Sequence, residues 1–566
     1  MSKENQIKII DLKDMLNRTK EVYKDNIAFK IREKEGGYKE ITHGRVRDMI
    51  DSLGTALITL GMQGKRIGVI GENRYEWEIS YLSVVCGVGT IVPFDKSLPE
   101  NELKRLIERS EVEAIFFSKK YEETLKKFVL EGTGKLKHLI SMDSKTHKKG
   151  IYSWPELIEI GEVLLNNGNR EYLDIEINPE EMKIMLFTSG TTSESKVVAL
   201  CHRNICSNLM AIDQVLDVDE TDRFLSFLPI HHVFECTVGF LLSLYKGART
   251  SFCDGIRHMQ DNYKEYETTF AACVPAIYEN MYKAVWKRLE KEGKKEEYQK
   301  LIEKYKNASI EKKKEVFKHV HDMFGGNIKS FITGAAAIDK NVVEGYRDFG
   351  INIYQGYGLT ETSPVVAIEN DVMMKAGSIG KVIPNHMVKI ENPNEEGIGE
   401  LLVKGPSVML GYYGNDEATK EAIIDGWFHT GDLASIDEDR YIFIKGRKKS
   451  VIVLKNGKNI FPEEMEHLVN RIEGVKESFI FGKSNRKDPE DIKIFVKVVY
   501  DKEIMKIAYK TDLQEKIHEI ISEKVKEINN TMPAYKAIRG LILTEIPLIK
   551  TTTNKIKRQE EIKTIE

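Results

Sequence analysis

Leu186-Phe-Thr-Ser-Gly-Thr-Thr-Ser-Glu-Ser-Lys196 continues the apolar run that opens with Ile184 and Met185. Hydroxyls at Thr188, Ser189, Thr191, Thr192 and Ser193 surround one glycine, Gly190, and Lys196 closes the stretch. A strand running into such a loop offers backbone N–H groups, hydroxyl donors and a cation, which together suit a polyphosphate. It is not the GxxxxGK[ST] loop of P-loop nucleotidases, because neither the glycine spacing nor the end fits. Alone, a Ser/Thr-rich turn is more often an ordinary surface loop, so the rest of the chain must decide.

Outward from the loop the pattern is α/β. Apolar runs such as Arg66-Ile-Gly-Val-Ile-Gly71 and Ala114-Ile-Phe-Phe-Ser118 read as buried parallel strands. Each adjoins a stretch of helical periodicity, Glu76 to Val85 and Glu100 to Arg109, and such alternation predicts mainly parallel sheets. At 566 residues the chain exceeds what one core supports, so at least two domains are expected. The division falls near Gly446-Arg-Lys-Lys-Ser450, giving residues 1–446 and 447–566. Beyond it the pattern restarts with a strand-like Val451-Ile-Val-Leu454, a helix after Pro462 and a strand at Ile492 to Tyr500. A long helix near Leu513 to Ile528 and a strand at Leu541 to Thr544 complete a small α/β unit.

Composition excludes several classes. An apolar fraction of 41% with 31% charged residues is that of a globular protein, and a net charge of −3 gives no overall pull toward nucleic acid. The most apolar stretch, Tyr81 to Phe94, is short and carries Gly87, Gly89 and Pro93, so it does not read as a membrane span. The polar start lacks the basic-then-apolar order of a signal peptide. Six cysteines without a CxxC pair read as reduced thiols in a cytoplasmic protein. Lys283 to Phe324 stands apart: it is rich in lysine and glutamate and carries a surplus of about five positive charges. It reads as a pair of solvated surface helices, with peripheral membrane or partner contact as the alternative.

Four further segments share the chain with the hydroxyl-rich loop: Tyr354-Gln-Gly-Tyr-Gly-Leu-Thr-Glu-Thr362, Gly426-Trp-Phe-His-Thr-Gly-Asp432, Lys445-Gly-Arg447 and Pro547-Leu-Ile-Lys-Thr-Thr-Thr-Asn-Lys-Ile-Lys-Arg558. Taken in order, they make the chain resemble the adenylate-forming superfamily of acyl-CoA synthetases, peptide-synthetase adenylation domains and beetle luciferases, from about residue 25 to 560. Leu228-Pro-Ile-His-His-Val-Phe-Glu235 makes it most similar to long-chain fatty acyl-CoA synthetases. The resemblance implies a large N-terminal domain, a small mobile C-terminal α/β domain, and ATP, Mg²⁺ and coenzyme A as cofactors.

Roles follow residue by residue from that likeness. Thr188, Ser189, Gly190, Thr191, Thr192 and Lys196 would grip the β- and γ-phosphates of ATP. Ser193, Ser195 and Val197 stand where the family usually has glycine, proline and glycine. Gly334, Ala335 and Ala336, in Thr333-Gly-Ala-Ala-Ala337, would let backbone approach the adenine. Gln355, Gly356 and Gly358 belong to the same nucleotide pocket, where Tyr357 would stack on adenine. Thr360 would bond the α-phosphate, and Glu361 would hold Mg²⁺. Asp432 would accept both ribose hydroxyls, with Arg447 beside it. His232 would line the acyl tunnel, although a buried structural histidine remains open. Lys555 would bridge carboxylate and α-phosphate, despite Asn554 in place of the usual glycine. Lys449 would serve as the hinge, and Gly457 would let the pantetheine arm pass. The expected substrate is a medium or long fatty acid, transferred to coenzyme A or, alternatively, to an acyl-carrier protein. The substituted loop glycines leave a second class of reading, an adenylate-binding protein without ligase activity.

Overall fold

A computed structural model describes residues 7–188, 196–455, 458–485, 488–551 and 555–565. Two large sheets dominate. One runs Lys381–Val382, Val365–Ile368, Asn352–Gly358, Ser330–Thr333, Phe270–Cys273, Arg223–Ser226, Arg249–Phe252, Ile27–Arg32 and Tyr38–Thr42. The six strands from Asn352–Gly358 to Ile27–Arg32 are parallel, and the flanking pairs are antiparallel. The other sheet runs Gly411–Tyr412, Val197–Cys201, Met182–Phe187, Gly89–Pro93, Lys65–Ile70, Ala114–Phe117, His138–Ser141 and Ile151–Ser153. It is parallel from Met182–Phe187 onward.

Their strands are apolar almost throughout because helices cover both faces. Ile67, Val69, Phe116 and Ile140 are all fully buried. The helix Trp154–Asn166 lies against His43–Thr59 so closely that a Cβ at Gly161 would stand 1.9 Å from the Ser52 carbonyl oxygen. Only glycine permits that approach.

A third sheet is antiparallel and was not legible as such: Met387–Glu391, Gly399–Lys404, Trp427–Ile436, Ile423–Ile424 and Ile442–Arg447. Beyond it, Val475–Asn485, Asp488–Tyr500 and Ile538–Thr544 form a separate three-stranded sheet. That sheet is backed by the helices Pro462–Val469 and Gln514–Asn530. Met465, Val469, Val496, Ile517 and Ile521 make a core of their own.

The charged insert differs from the expected pair of solvated helices. After the helix Pro275–Lys291 come three short ones, Lys295–Tyr305, Ile310–Val316 and Lys318–Met323. Their inner face is aromatic and buried: Tyr298, Phe317, Val320 and Phe324 share a core with Tyr346 and Phe349. Even Lys313 is buried, 3.6 Å from Asp348. Helical spacing was present in the sequence, but the lysine excess masked how much of one face is core. Among the described residues no helix is long and apolar enough to cross a membrane.

Candidate active site

The strands Trp427–Ile436 and Ile442–Arg447 pair with Asp432 directly opposite Arg447. This register places the guanidinium Nε 2.9 Å from Asp432 Oδ1. Asp432 Oδ2 accepts from the Tyr357 hydroxyl at 2.5 Å, so the third sheet meets the nine-stranded one at this carboxylate. Thr430 braces the turn: its hydroxyl donates to Leu401 O at 2.7 Å and accepts from Asp432 N at 3.0 Å. Burial pushes the Asp432 carboxyl up, while Arg447, the Tyr357 bond and Lys555 pull it down. Burial beside Asp432 holds the Tyr357 phenol far above its ordinary value, so it stays a donor.

Tyr357 lies on Asn352–Gly358, whose last residue must be glycine. A Cβ at Gly358 would stand 2.0 Å from the Pro364 carbonyl oxygen. Gly356 sits beside Gly334 on the neighbouring strand end, where an added Cβ would come within 3.1 Å of Gly356 O. Ala335, at φ +69°, and Ala336 are exposed there. Gln355 points into the core instead: its side-chain amide donates to Glu369 at 3.4 Å and its backbone N–H to the same carboxylate at 3.1 Å.

Thr360 and Glu361 follow in the turn Thr360–Thr362. Glu361 Oε1 accepts from the Tyr412 hydroxyl at 3.0 Å, and the Lys196 ammonium lies 4.2 Å from the centre of the Tyr412 ring. Tyr412 was missed in the sequence. Its signal is structural: Gly411–Tyr412 pairs antiparallel with the strand that follows Lys196. Thr188 closes the other side of that loop, its N–H donating to Lys196 O at 2.9 Å. Ser189, Gly190, Thr191, Thr192, Ser193 and Ser195 lie outside the described residues, as do Gly457 and Asn554.

Lys555 enters from the far end of the chain. Its backbone is held against Thr551, with Thr551 N donating to Lys555 O at 2.9 Å. Lys555 is an exposed residue whose ammonium nonetheless loses hydration to the surrounding protein, which lowers its pKa. Burial and Arg447 lower its pKa, while Asp432 and Glu361 raise it, so all four charges share one cleft. His232 faces the same space: burial lowers its pKa first, Asp95 opposes this, and Lys555 adds to it. Its neighbour His231 stands 4.2 Å away between ring centres and 3.6 Å from Asp95.

Lys449 is exposed in the turn Lys448–Ser450, directly after the strand carrying Arg447. Behind His232, Glu235 is buried and accepts from Ser226 at 2.6 Å; burial raises its carboxyl to about 8. Burial and that neighbour raise the equally buried Glu78 well above the ordinary carboxyl range.

No group of three or more metal-type side chains occurs among the described residues. A lone carboxylate such as Glu361 nevertheless suits Mg²⁺, which is commonly held by one or two carboxylates together with substrate phosphates and water.

The family model described as AMP-binding enzyme matches residues 16–413. Long chain acyl-CoA synthetase 3 of Arabidopsis thaliana is 27% identical over 490 residues, covering 80% of this chain and 72% of that protein. Human long-chain-fatty-acid–CoA ligase 1 is 29% identical over 487 residues, covering 80% and 69%. The crystal structure of the anthranilate CoA ligase AuaEII with anthranoyl-AMP superposes with a TM-score of 0.76 at 18% identity, covering 98% and 97%. A family match over most of the chain, on a fold that gathers its motifs into one cleft, means that this chain belongs to the AMP-binding enzyme family.

Proposed function

We propose that this enzyme is a fatty acid–coenzyme A ligase of the AMP-forming kind. It activates a medium or long fatty acid as acyl-AMP and passes the acyl group to the thiol of coenzyme A. The observation that carries the reading is Asp432 held between Tyr357 and Arg447 beside the Glu361, Tyr412 and Lys196 contacts, with Lys555, from more than a hundred residues further along the chain, within electrostatic reach of Asp432, Glu361 and Arg447. The retained charges also speak against an adenylate-binding protein without activity.

In the first step a carboxylate oxygen of the acid attacks the α-phosphorus of ATP. The bond from that phosphorus to the bridging oxygen breaks, and pyrophosphate leaves. Lys555 offsets charge on the carboxylate and α-phosphate oxygens, and Thr360 donates to the latter. Asp432 accepts from the ribose hydroxyls, a pairing for which its two oxygens suffice. Arg447 holds Asp432 in place. Lys196 and the hydroxyl-rich loop take the β- and γ-phosphates. Glu361 would hold Mg²⁺, which would neutralise phosphate charge.

In the second step the pantetheine sulfur attacks the acyl carbonyl, the anhydride C–O bond breaks, AMP leaves and the thiol proton goes to solvent. We assign this step to a second arrangement in which the chain beyond Lys449 turns about that residue. Lys455-Asn-Gly-Lys-Asn459, including Gly457, would then replace Lys555 at the cleft.

The fatty substrate is supported by the His232-centred motif and by relatives whose names state long-chain acyl substrates. A panel of straight-chain acids, each offered with coenzyme A and with acyl-carrier protein in parallel, tests it. Thioester should form fastest with acids of about eight or more carbons and with coenzyme A. Preference for an aromatic or dicarboxylic acid would overturn the substrate assignment, and preference for carrier protein the acceptor.

A further inference from the structure

We propose that Asp339 and Arg471 form a latch between the two parts of the chain that positions Lys555 for acyl-adenylate formation. The proposal rests on the two-arrangement reading above. Arg471 Nε lies 2.8 Å from Asp339 Oδ2.

Asp339 is firmly placed in the large N-terminal part, two residues beyond Thr333-Gly-Ala-Ala-Ala337. Its carboxylate caps the helix Lys340–Asp348, accepting from Asn341 N at 2.9 Å. Its own N–H donates to Glu279 Oε1 at 3.1 Å.

Arg471 lies just past the helix Pro462–Val469 and also donates to His467 Nε2 on that helix at 3.0 Å. The same helix holds the segment that carries Lys555. Its buried Glu466 accepts from Arg558 at 2.6 Å and from Ile480 N at 2.8 Å. Its Glu463 stands 3.3 Å from the same guanidinium. Arg558 is three residues beyond Lys555. One short helix therefore grips the large part of the chain through Arg471 and the Lys555 segment through Glu466. Releasing the first contact frees the second to move away from Asp432.

The latch is suited to opening at every turnover. Arg471 is 37% and Asp339 15% exposed, so the pair remains partly hydrated. An exposed ion pair shifts an equilibrium by up to about five-fold. That is enough to favour one arrangement and too little to trap it. Both residues act through Lys555, so they are positioning residues.

The test uses full-length Arg471→Gln, Asp339→Asn and the double variant. Asparagine keeps the helix cap while removing the charge. Two rates are measured: acyl-adenylate formation without coenzyme A, and thioester formation from supplied acyl-adenylate. Each single variant should slow the first by about two- to five-fold, leave the second at least as fast, and be no better than the double. Added salt should narrow the gap between wild type and Arg471→Gln. Equal slowing of both steps, additive losses or no slowing would overturn the latch. Lys555→Ala run alongside separates the two ideas. If Lys555→Ala is selective for adenylation and Arg471→Gln is not, only the latch fails. If Lys555→Ala is not selective, the two-arrangement reading fails and takes the latch with it.

Discussion

Replacing Lys555 with alanine is expected to slow acyl-adenylate formation by ~10²–10³, or roughly 3–4 kcal/mol, the usual cost of losing one preorganised charge contact in a transition state. The ammonium shares its cleft with Asp432, Glu361 and Arg447. An isolated cation would be poorly placed beside Arg447. Here the two carboxylates balance the two cations, and Lys196 beside Tyr412 adds the positive charge that meets a triphosphate. The Lys555 segment is held from behind by Arg558 and Thr551, so truncating the side chain should leave the fold intact. Supplied with acyl-adenylate and coenzyme A, the variant should still make thioester at close to the wild-type rate. Single-turnover measurements of each step decide the matter, and equal damage to both would remove Lys555 from the adenylation step.

Asp432→Ala is expected to abolish stabilisation by Mg-ATP along with overall activity. A wild-type site offered ATP at 100 times its Kd gains about 2.7 kcal/mol, a shift easily read in a thermal melt. The variant should lose that gain because it removes the acceptor for the ribose. It also leaves the Tyr357 hydroxyl and Arg447 without their shared partner. Some stability of the free protein goes too, at about 1–3 kcal/mol for an orphaned buried donor. Asp432→Asn is the control for that loss. Its amide oxygen still accepts from Tyr357 and preserves the fold, but it cannot accept two ribose hydroxyls while doing so. A wild-type-sized shift with Mg-ATP in either variant would show that the nucleotide sits elsewhere.

Strands of the eight-stranded sheet and the helices beside them were legible because their periodicities are clean. Ile67–Ile70 and Ala114–Phe117 are unbroken apolar runs, and Glu100–Ser110 turns one face inward with Leu103, Leu106 and Ile107. In the last quarter of the chain, the helix Gln514–Asn530 and the strand Ile538–Thr544 fall within a few residues of expectation. The strand Val475–Asn485 was not foreseen, since its charges at Lys476 and Glu477 interrupt the apolar pattern before Phe479.

The site was legible as a set of segments, but its internal contacts were not. That Tyr357 bonds Asp432, or that Tyr412 links Lys196 to Glu361, depends on sheets meeting across long stretches of sequence. No spacing rule reports such contacts. Gln355 shows the converse. It lies inside a motif read as nucleotide-binding, yet its side chain is committed to Glu369.

The central claim is that a carboxylate oxygen attacks the α-phosphorus of ATP. The most direct measurement follows that oxygen. A fatty acid labelled with ¹⁸O in its carboxylate, turned over with ATP, Mg²⁺ and coenzyme A, should deliver one labelled oxygen to AMP. Pyrophosphate should carry none, and acyl-CoA should keep the other label. Label in phosphate or pyrophosphate, or formation of ADP in place of AMP, would mean that the acid is activated at a different phosphorus and would contradict the mechanism.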